Sequence, residues 1–103
     1  MAIESWPRET REYLSVVVEG DSGLSALPVQ MAVLAYGVRP TSGDWQTAEW
    51  DVDEMDGAVV AKVKIGPGTA FDFSAAPGPK VPWVKVTASE ELSVLEGEPI
   101  RVT

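Results

Sequence analysis

Cysteine and histidine are both absent from the 103-residue sequence. Without cysteine, the chain has no disulfide framework, no thiolate zinc ligand and no cysteine nucleophile. Without histidine, it lacks the most common general base near neutral pH and the most common metal-binding side chain, which excludes Ser–His and Cys–His catalysis. Paired carboxylates remain, but a single small domain leaves little room for a substrate cleft. We therefore expect a protein that is not an enzyme and that binds no cofactor.

Basic residues are scarce, because eight lysines and arginines stand against 16 aspartates and glutamates, for a formal net charge of −8. This balance argues against binding to nucleic acid phosphates, and it suits a soluble surface, a basic protein partner or a divalent cation. No apolar run approaches the ~20 residues needed to cross a bilayer, so we expect no membrane contact. The polar start of the chain does not resemble a secretion signal, and the lack of cysteine favours folding in a reducing cytoplasm.

Apolar and polar residues alternate in a pattern typical of β-strands. Residues 58–65 show it most clearly, with Val59, Ala61, Val63 and Ile65 on one face. Alternation or β-branched composition also predicts strands over residues 12–19, 29–36, 45–52, 81–88, 92–95 and 99–103. The sequence therefore predicts an all-β fold, an immunoglobulin-like antiparallel β-sandwich of about seven short strands.

The turns and prolines between the strands indicate how the chain is organised. No linker divides residues 12–103, which we expect to form a single β-sandwich domain, preceded by an extended N-terminal arm over residues 1–11 in which Pro7 breaks any helix. The run at 29–36 is apolar throughout, so either both of its faces are buried or one face meets a partner. Pro82 lacks an amide donor, which predicts a sheet edge or a strand start at that residue.

Three of the four tryptophans are candidate binding residues. Trp6 stands beside Pro7 on the predicted arm, where nothing local packs against it, and Trp45 and Trp83 lie at or within predicted strands. Because exposed aromatic residues dominate binding energy at protein interfaces, we expect Trp6, Pro7, Trp45 and Trp83 to contact a partner. Two alternatives remain: the tryptophans pack in the core or its rim, or they stack on sugar rings.

One acidic motif invites interpretation as a metal site. It places Asp51, Asp53 and Asp56 directly before a glycine, in the manner of a calcium loop. The register does not match an EF-hand, because Lys62 stands where the distal glutamate belongs. We expect a solvated hairpin turn without a metal, and a cation site formed by the three aspartates is the alternative.

The C-terminal part of the chain has a distinctive order of elements. Residues 81–103 contain a Trp-Val-x-Val-Thr strand, a short acidic turn, a further strand piece, a glycine and a final short strand. This order resembles the C-terminal half of small virion structural proteins of tailed phages of actinobacteria. Residues 45–50 and 58–68 fit the same pattern, so the resemblance extends over most of residues 28–103. Pro82 departs from the pattern, which puts the edge geometry near it in question.

The resemblance implies both a fold and a function. The fold is an immunoglobulin-like sandwich with Trp83 in its penultimate long strand. The function is that of a non-enzymatic virion component in capsid decoration or in the head–tail, neck or tail assembly, made in the host cytoplasm and present in multiple copies. Its partners are then other virion proteins, such as the major capsid, portal, connector or tail proteins. The alternatives are a carbohydrate- or cell-surface-binding module and an intracellular inhibitor of a basic target.

Overall fold

The computed structural model describes residues 4–19, 26–55, 58–73, 75–87 and 92–103. The regular structure in these ranges is almost entirely β. The strands are β1 (Glu4–Trp6), β2 (Glu12–Glu19), β3 (Val29–Ala35), β4 (Gln46–Thr47), β5 (Glu49–Met55), β6 (Ala58–Ile65), β7 (Gly78–Thr87), β8 (Leu92–Glu96) and β9 (Ile100–Val102).

The strands form two sheets that pack face to face. The larger sheet has the order β1-β9-β7-β3-β4, and β8 pairs with β7 on the same edge as β9. The smaller sheet has the order β2-β6-β5. All pairings are antiparallel except the parallel pairing of β1 with β9. The predicted all-β sandwich is confirmed, whereas its immunoglobulin-like character stays a prediction.

The core between the sheets follows from the alternation in the sequence. In β6, the predicted inward face is buried, with Val59, Ala61, Val63 and Ile65 all in the main hydrophobic cluster. In β7, Val84 and Val86 join the same cluster, as expected from the period of two. Because the apolar residues of each strand lie on one face, the two sheets bury them against each other and exclude water.

Pro82 lies inside a long central strand, so the prediction of a sheet edge or strand start at this residue is wrong. On one side, Pro82 lies opposite Val33 of β3. On the other side, its carbonyl oxygen accepts the Gly97 amide at 2.8 Å. The missing amide donor of Pro82 therefore points at the connection between β8 and β9, where no ladder hydrogen bond to a strand is lost.

The predicted N-terminal arm is part of the domain in the described residues. Residues 4–6 form β1, which pairs with β9 in the larger sheet, and Trp6 is only 8% exposed. The Thr103 amide donates to the Trp6 carbonyl oxygen at 2.9 Å, and the Arg8 amide donates to the Thr103 carbonyl oxygen at 2.9 Å. The boundary expected at residue 12 is corrected, because the partner strand of β1 comes from the far end of the chain.

The strand predicted over residues 45–52 is divided between the two sheets. β4 pairs with β3 in the larger sheet, and β5 pairs with β6 in the smaller one. Ala48 lies at the crossing point, where it is buried and its amide donates to the Val29 carbonyl oxygen at 3.0 Å. Alternation cannot reveal such a crossing, because the period of two continues on both sides of it.

Trp50 connects the smaller sheet to the segment before β3. Its indole Nε1 donates to the Leu27 carbonyl oxygen at 2.8 Å, and its ring packs on the core. We expect Trp50→Phe to lower the free energy of unfolding by about 1–2 kcal/mol, because the Leu27 carbonyl loses a partly buried donor while most of the ring area is kept. Urea denaturation followed by circular dichroism measures this loss. Equal stabilities of the variant and the parent chain would contradict the role given to the hydrogen bond.

Candidate binding surface

The outer face of the larger sheet carries a second hydrophobic cluster. Ala32, Val81 and Trp83 are buried there, and Leu34 and Trp45 pack against them. The cluster arises because β3 and β7 are apolar at successive positions, so that both faces of each strand carry apolar side chains. The residue pairs Ala32–Trp83 and Leu34–Val81 face one another directly across the two strands. One face of β3 therefore contributes side chains to the core between the sheets, and the other face contributes side chains to this outer cluster.

Two cations lie over the tryptophan rings of the outer cluster. The Arg39 guanidinium carbon is 5.6 Å from the centroid of the Trp83 ring, and the Lys85 Nζ is 4.7 Å from that of Trp45. A cation over the negative face of an aromatic ring is attracted by its quadrupole. Together with the sheet below, this packing leaves Trp83 only 7% exposed. Trp83 is therefore part of a packed cluster, and more exposed residues lie beside it.

Two exposed apolar residues of this face lie on the turn after β3. Tyr36 is 67% exposed and Val38 is 49% exposed. The turn between them is closed by the Val38 amide, which donates to the Ala35 carbonyl oxygen at 3.1 Å. Gly37 has a φ of +87°, a left-handed conformation that glycine adopts without strain. The turn therefore presents an aromatic and a β-branched side chain beside the covered tryptophans.

An open depression lies between this turn and β7. It has a volume of about 210 Å³. Its lining combines apolar side chains with one cation and one carboxylate, from Tyr36, Val38, Arg39, Val81, Trp83 and Glu96. An aromatic and aliphatic centre with an arginine and a polar margin is the composition found at protein–protein interfaces.

The four residues predicted to bind a partner do not form one site. Trp45 and Trp83 lie together on the outer face of the larger sheet. Trp6 belongs to the core between the sheets, and Pro7 is exposed next to it. The prediction missed Tyr36 and Val38, although both border the apolar run of β3 and flank a glycine, which is a usable signal for an exposed apolar turn.

The outer face of the smaller sheet is different in character. Tyr13 lies between two lysines, with the Lys62 Nζ at 4.7 Å and the Lys64 Nζ at 5.3 Å from its ring centroid. Val17 is exposed on the same strand. Polar and charged side chains separate these apolar groups, so this face lacks the continuous apolar cluster that the larger sheet carries.

The metal and membrane interpretations gain no support from the described residues. Among them, no group of three or more acidic, histidine or cysteine side chains could hold a metal ion. The side chains of Asp53 and Asp56, which the calcium-loop alternative needs, lie outside the described part of the chain. Within the same ranges, no helix is both long enough and apolar enough to cross a membrane.

No family model matches this chain, and neither does any curated protein. What the fold and the surface define is a class: a small two-sheet β-sandwich with an apolar, cation-covered outer face. That face and the resemblance of residues 81–103 are therefore the features that bear on function.

Proposed function

We propose that this chain is a non-enzymatic structural protein of a tailed-bacteriophage virion, and that it binds other virion proteins as a capsid decoration or head–tail component. The resemblance of residues 81–103 supports this role, and these residues include most of β7 and all of β8 and β9. The observation that carries the proposal is the outer face of the larger sheet, where exposed Tyr36 and Val38 stand beside the Trp45 and Trp83 cluster.

The shape and composition of this face together suit a protein partner. Binding energy at interfaces concentrates in a few aromatic and arginine residues that a partner shields from water. Tyr36 and Arg39 border the same depression. The Tyr36 amide donates to the Pro79 carbonyl oxygen of β7 at 3.2 Å, and Arg39 lies over the Trp83 ring. A preorganised surface loses less conformational entropy on binding than a flexible loop does.

The alternative of a carbohydrate-binding module fits the geometry less well. Stacking on a sugar requires an exposed aromatic ring face. Arg39 lies over Trp83 and Lys85 lies over Trp45, and Trp83 is almost fully buried. A cation therefore lies over each tryptophan of the outer face, so that a sugar would have to stack on the exposed Tyr36 instead.

Incorporation into phage particles tests this proposal. We expect the double variant Tyr36→Asp/Val38→Asp to be lost from purified particles, because two carboxylates would be desolvated at the interface without partners. Mass spectrometry of the particles measures the amount incorporated. The two residues are exposed, so thermal melting of the isolated variant should match that of the parent chain.

Val17→Asp is the matched control, because Val17 is a similarly exposed valine on the outer face of the smaller sheet. It is expected to leave incorporation unchanged. Particles that contain the double variant at the parental level would contradict the role of the Tyr36 face. The absence of the parent chain itself from purified particles would contradict the virion role.

A further inference from the structure

β8 is an apolar strand that the fold leaves exposed. All five of its residues are exposed, including Leu92 at 61%, Val94 at 43% and Leu95 at 39%. Its side chains alternate between the two faces of the larger sheet, so apolar groups project on both sides. Leu95 lies opposite the buried Val84 and so faces inward, yet it is 39% exposed.

One edge of β8 has no strand beside it among the described residues. The direction of its amides follows from the neighbouring ladder. The Gly97 amide donates to Pro82 of β7, and amides alternate in direction along a strand. The amides of Ser93 and Leu95 therefore point at β7, and those of Leu92, Val94 and Glu96 point away from it.

The other sheet edges are protected in ways that β8 is not. β1 and β4 have only three and two residues, and very short edge strands offer little to pair with. β5 has a register shift between Asp51 and Met55, and such irregularities disrupt an edge ladder. Among the described residues, β2 also has an open edge, but it buries alternate residues in the core. β8 differs in that all five of its residues are exposed, with apolar side chains on both of its faces.

The charge around β8 indicates what kind of strand can pair with it. Glu90 and Glu91 precede β8 in the sequence, and Glu96 and Glu98 end it or follow it. No lysine or arginine occurs between Lys85 and Arg101. Pairing with a second copy of β8 would bring glutamates together in either strand direction, and like charges opposite one another are destabilising.

We infer that the open edge of β8 binds an extended segment of another protein, with alternating β-forming residues flanked by lysine or arginine. The segment adds a strand to the larger sheet, accepting and donating main-chain hydrogen bonds at Leu92, Val94 and Glu96. Its flanking cations face Glu96 and Glu98, which end β8 and follow it. This inference rests on the proposed function in one respect only, which is that the partner at the β8 edge is a protein.

A titration with a synthetic peptide tests the inference directly. The probe is Lys-Lys-Thr-Val-Thr-Val-Thr-Lys-Lys, added to the isotope-labelled full chain at low salt. Hydrogen exchange of the Leu92, Val94 and Glu96 amides is expected to slow on addition of the peptide, because these amides gain acceptors. A peptide with glutamates in place of the four lysines is expected to bind about tenfold more weakly, since its charges repel those of β8.

Matched variants separate the edge from the rest of the domain. Val94→Pro removes an outward amide without removing a hydrogen bond to β7, and it is expected to abolish peptide binding. Val94→Thr keeps the amide and the strand propensity, and it is expected to bind like the parent chain. The double variant Glu96→Lys/Glu98→Lys is expected to prefer the glutamate-flanked peptide.

Three results would overturn the inference. They are equal affinity for the lysine- and glutamate-flanked peptides, slowed exchange confined to β2, and a concentration-dependent dimer of the free chain that protects β8. The exchange measurement on the parent chain is decisive even if Val94→Pro does not fold. If the parent chain is incorporated into particles but binds no peptide at β8, the inference about the β8 edge is wrong and the virion role is unaffected.

Discussion

Trp6→Ala is expected to lower the free energy of unfolding by about 3–5 kcal/mol, the usual cost of truncating a large buried aromatic side chain. Trp6 is 8% exposed and packs in the main core cluster, which also contains Ile65 and Phe71. Removal of the indole loses its transfer free energy and leaves a cavity that the short strand β1 cannot close. Domains of this size are stable by about 5–15 kcal/mol, so the loss is a large part of the total.

The expected decrease in melting temperature is more than about 12 °C, which differential scanning calorimetry measures directly. Trp6→Phe is the conservative control. The Trp6 indole nitrogen makes no hydrogen bond within the described residues, so phenylalanine loses ring area only and should retain most of the stability. Pro7→Ala, at the exposed neighbouring residue, is expected to change stability little. If Trp6→Ala had the same melting temperature as the parent chain, residues 4–6 would be a separate arm and not part of the core.

Gly66→Ala is the second substitution with a large expected effect, about 3 kcal/mol or more of lost stability. Gly66 follows β6 and has a φ of +123°, which L-residues with a side chain rarely adopt. A Cβ at this position would overlap the Thr10 carbonyl oxygen and would lie 2.7 Å from the Arg11 Cα. Because both of these neighbours are backbone atoms, no side-chain rotation relieves the overlap.

Gly37→Ala provides the matched control for this prediction. Gly37 also has a left-handed φ, of +87°, but nothing lies within 4 Å of an added Cβ there. Its substitution is expected to cost only the conformational strain of about 1–2 kcal/mol. The difference between the two variants in urea denaturation isolates the close approach of the segment at residues 10–11 to Gly66. Equal losses in both variants would show that strain alone, and not the close approach, governs Gly66.

The strands themselves were predictable wherever one face of the chain is buried. Residues 12–19 and 58–65 have the bounds of β2 and β6 as predicted, because these two strands pair along their full length and bury alternate residues. Two predictions failed where a residue depends on its neighbours in space. Pro82 is accommodated inside β7 by the gap between β8 and β9, and Ala48 marks a crossing between sheets.

The candidate surface was predictable only in part. Trp45 and Trp83 lie together on the outer face of the larger sheet and their binding role stays a prediction, but the sequence did not distinguish them from Trp6, which is buried in the core between the sheets. All three are tryptophans in or next to short apolar segments. Burial of each depends on which strand lies across from it, and that strand comes from a distant part of the chain.

Composition and periodicity alone established the all-β sandwich and most strand positions, because side-chain alternation is a local property of an extended chain. The absence of cysteine and histidine likewise narrowed the available chemistry before any fold was known. The tertiary structure decided which strands are buried on both faces, where β1 pairs, and that one edge of β8 stays open. These outcomes follow from the pairing of residues far apart in sequence, such as Trp6 with Val102, and no local pattern encodes that pairing.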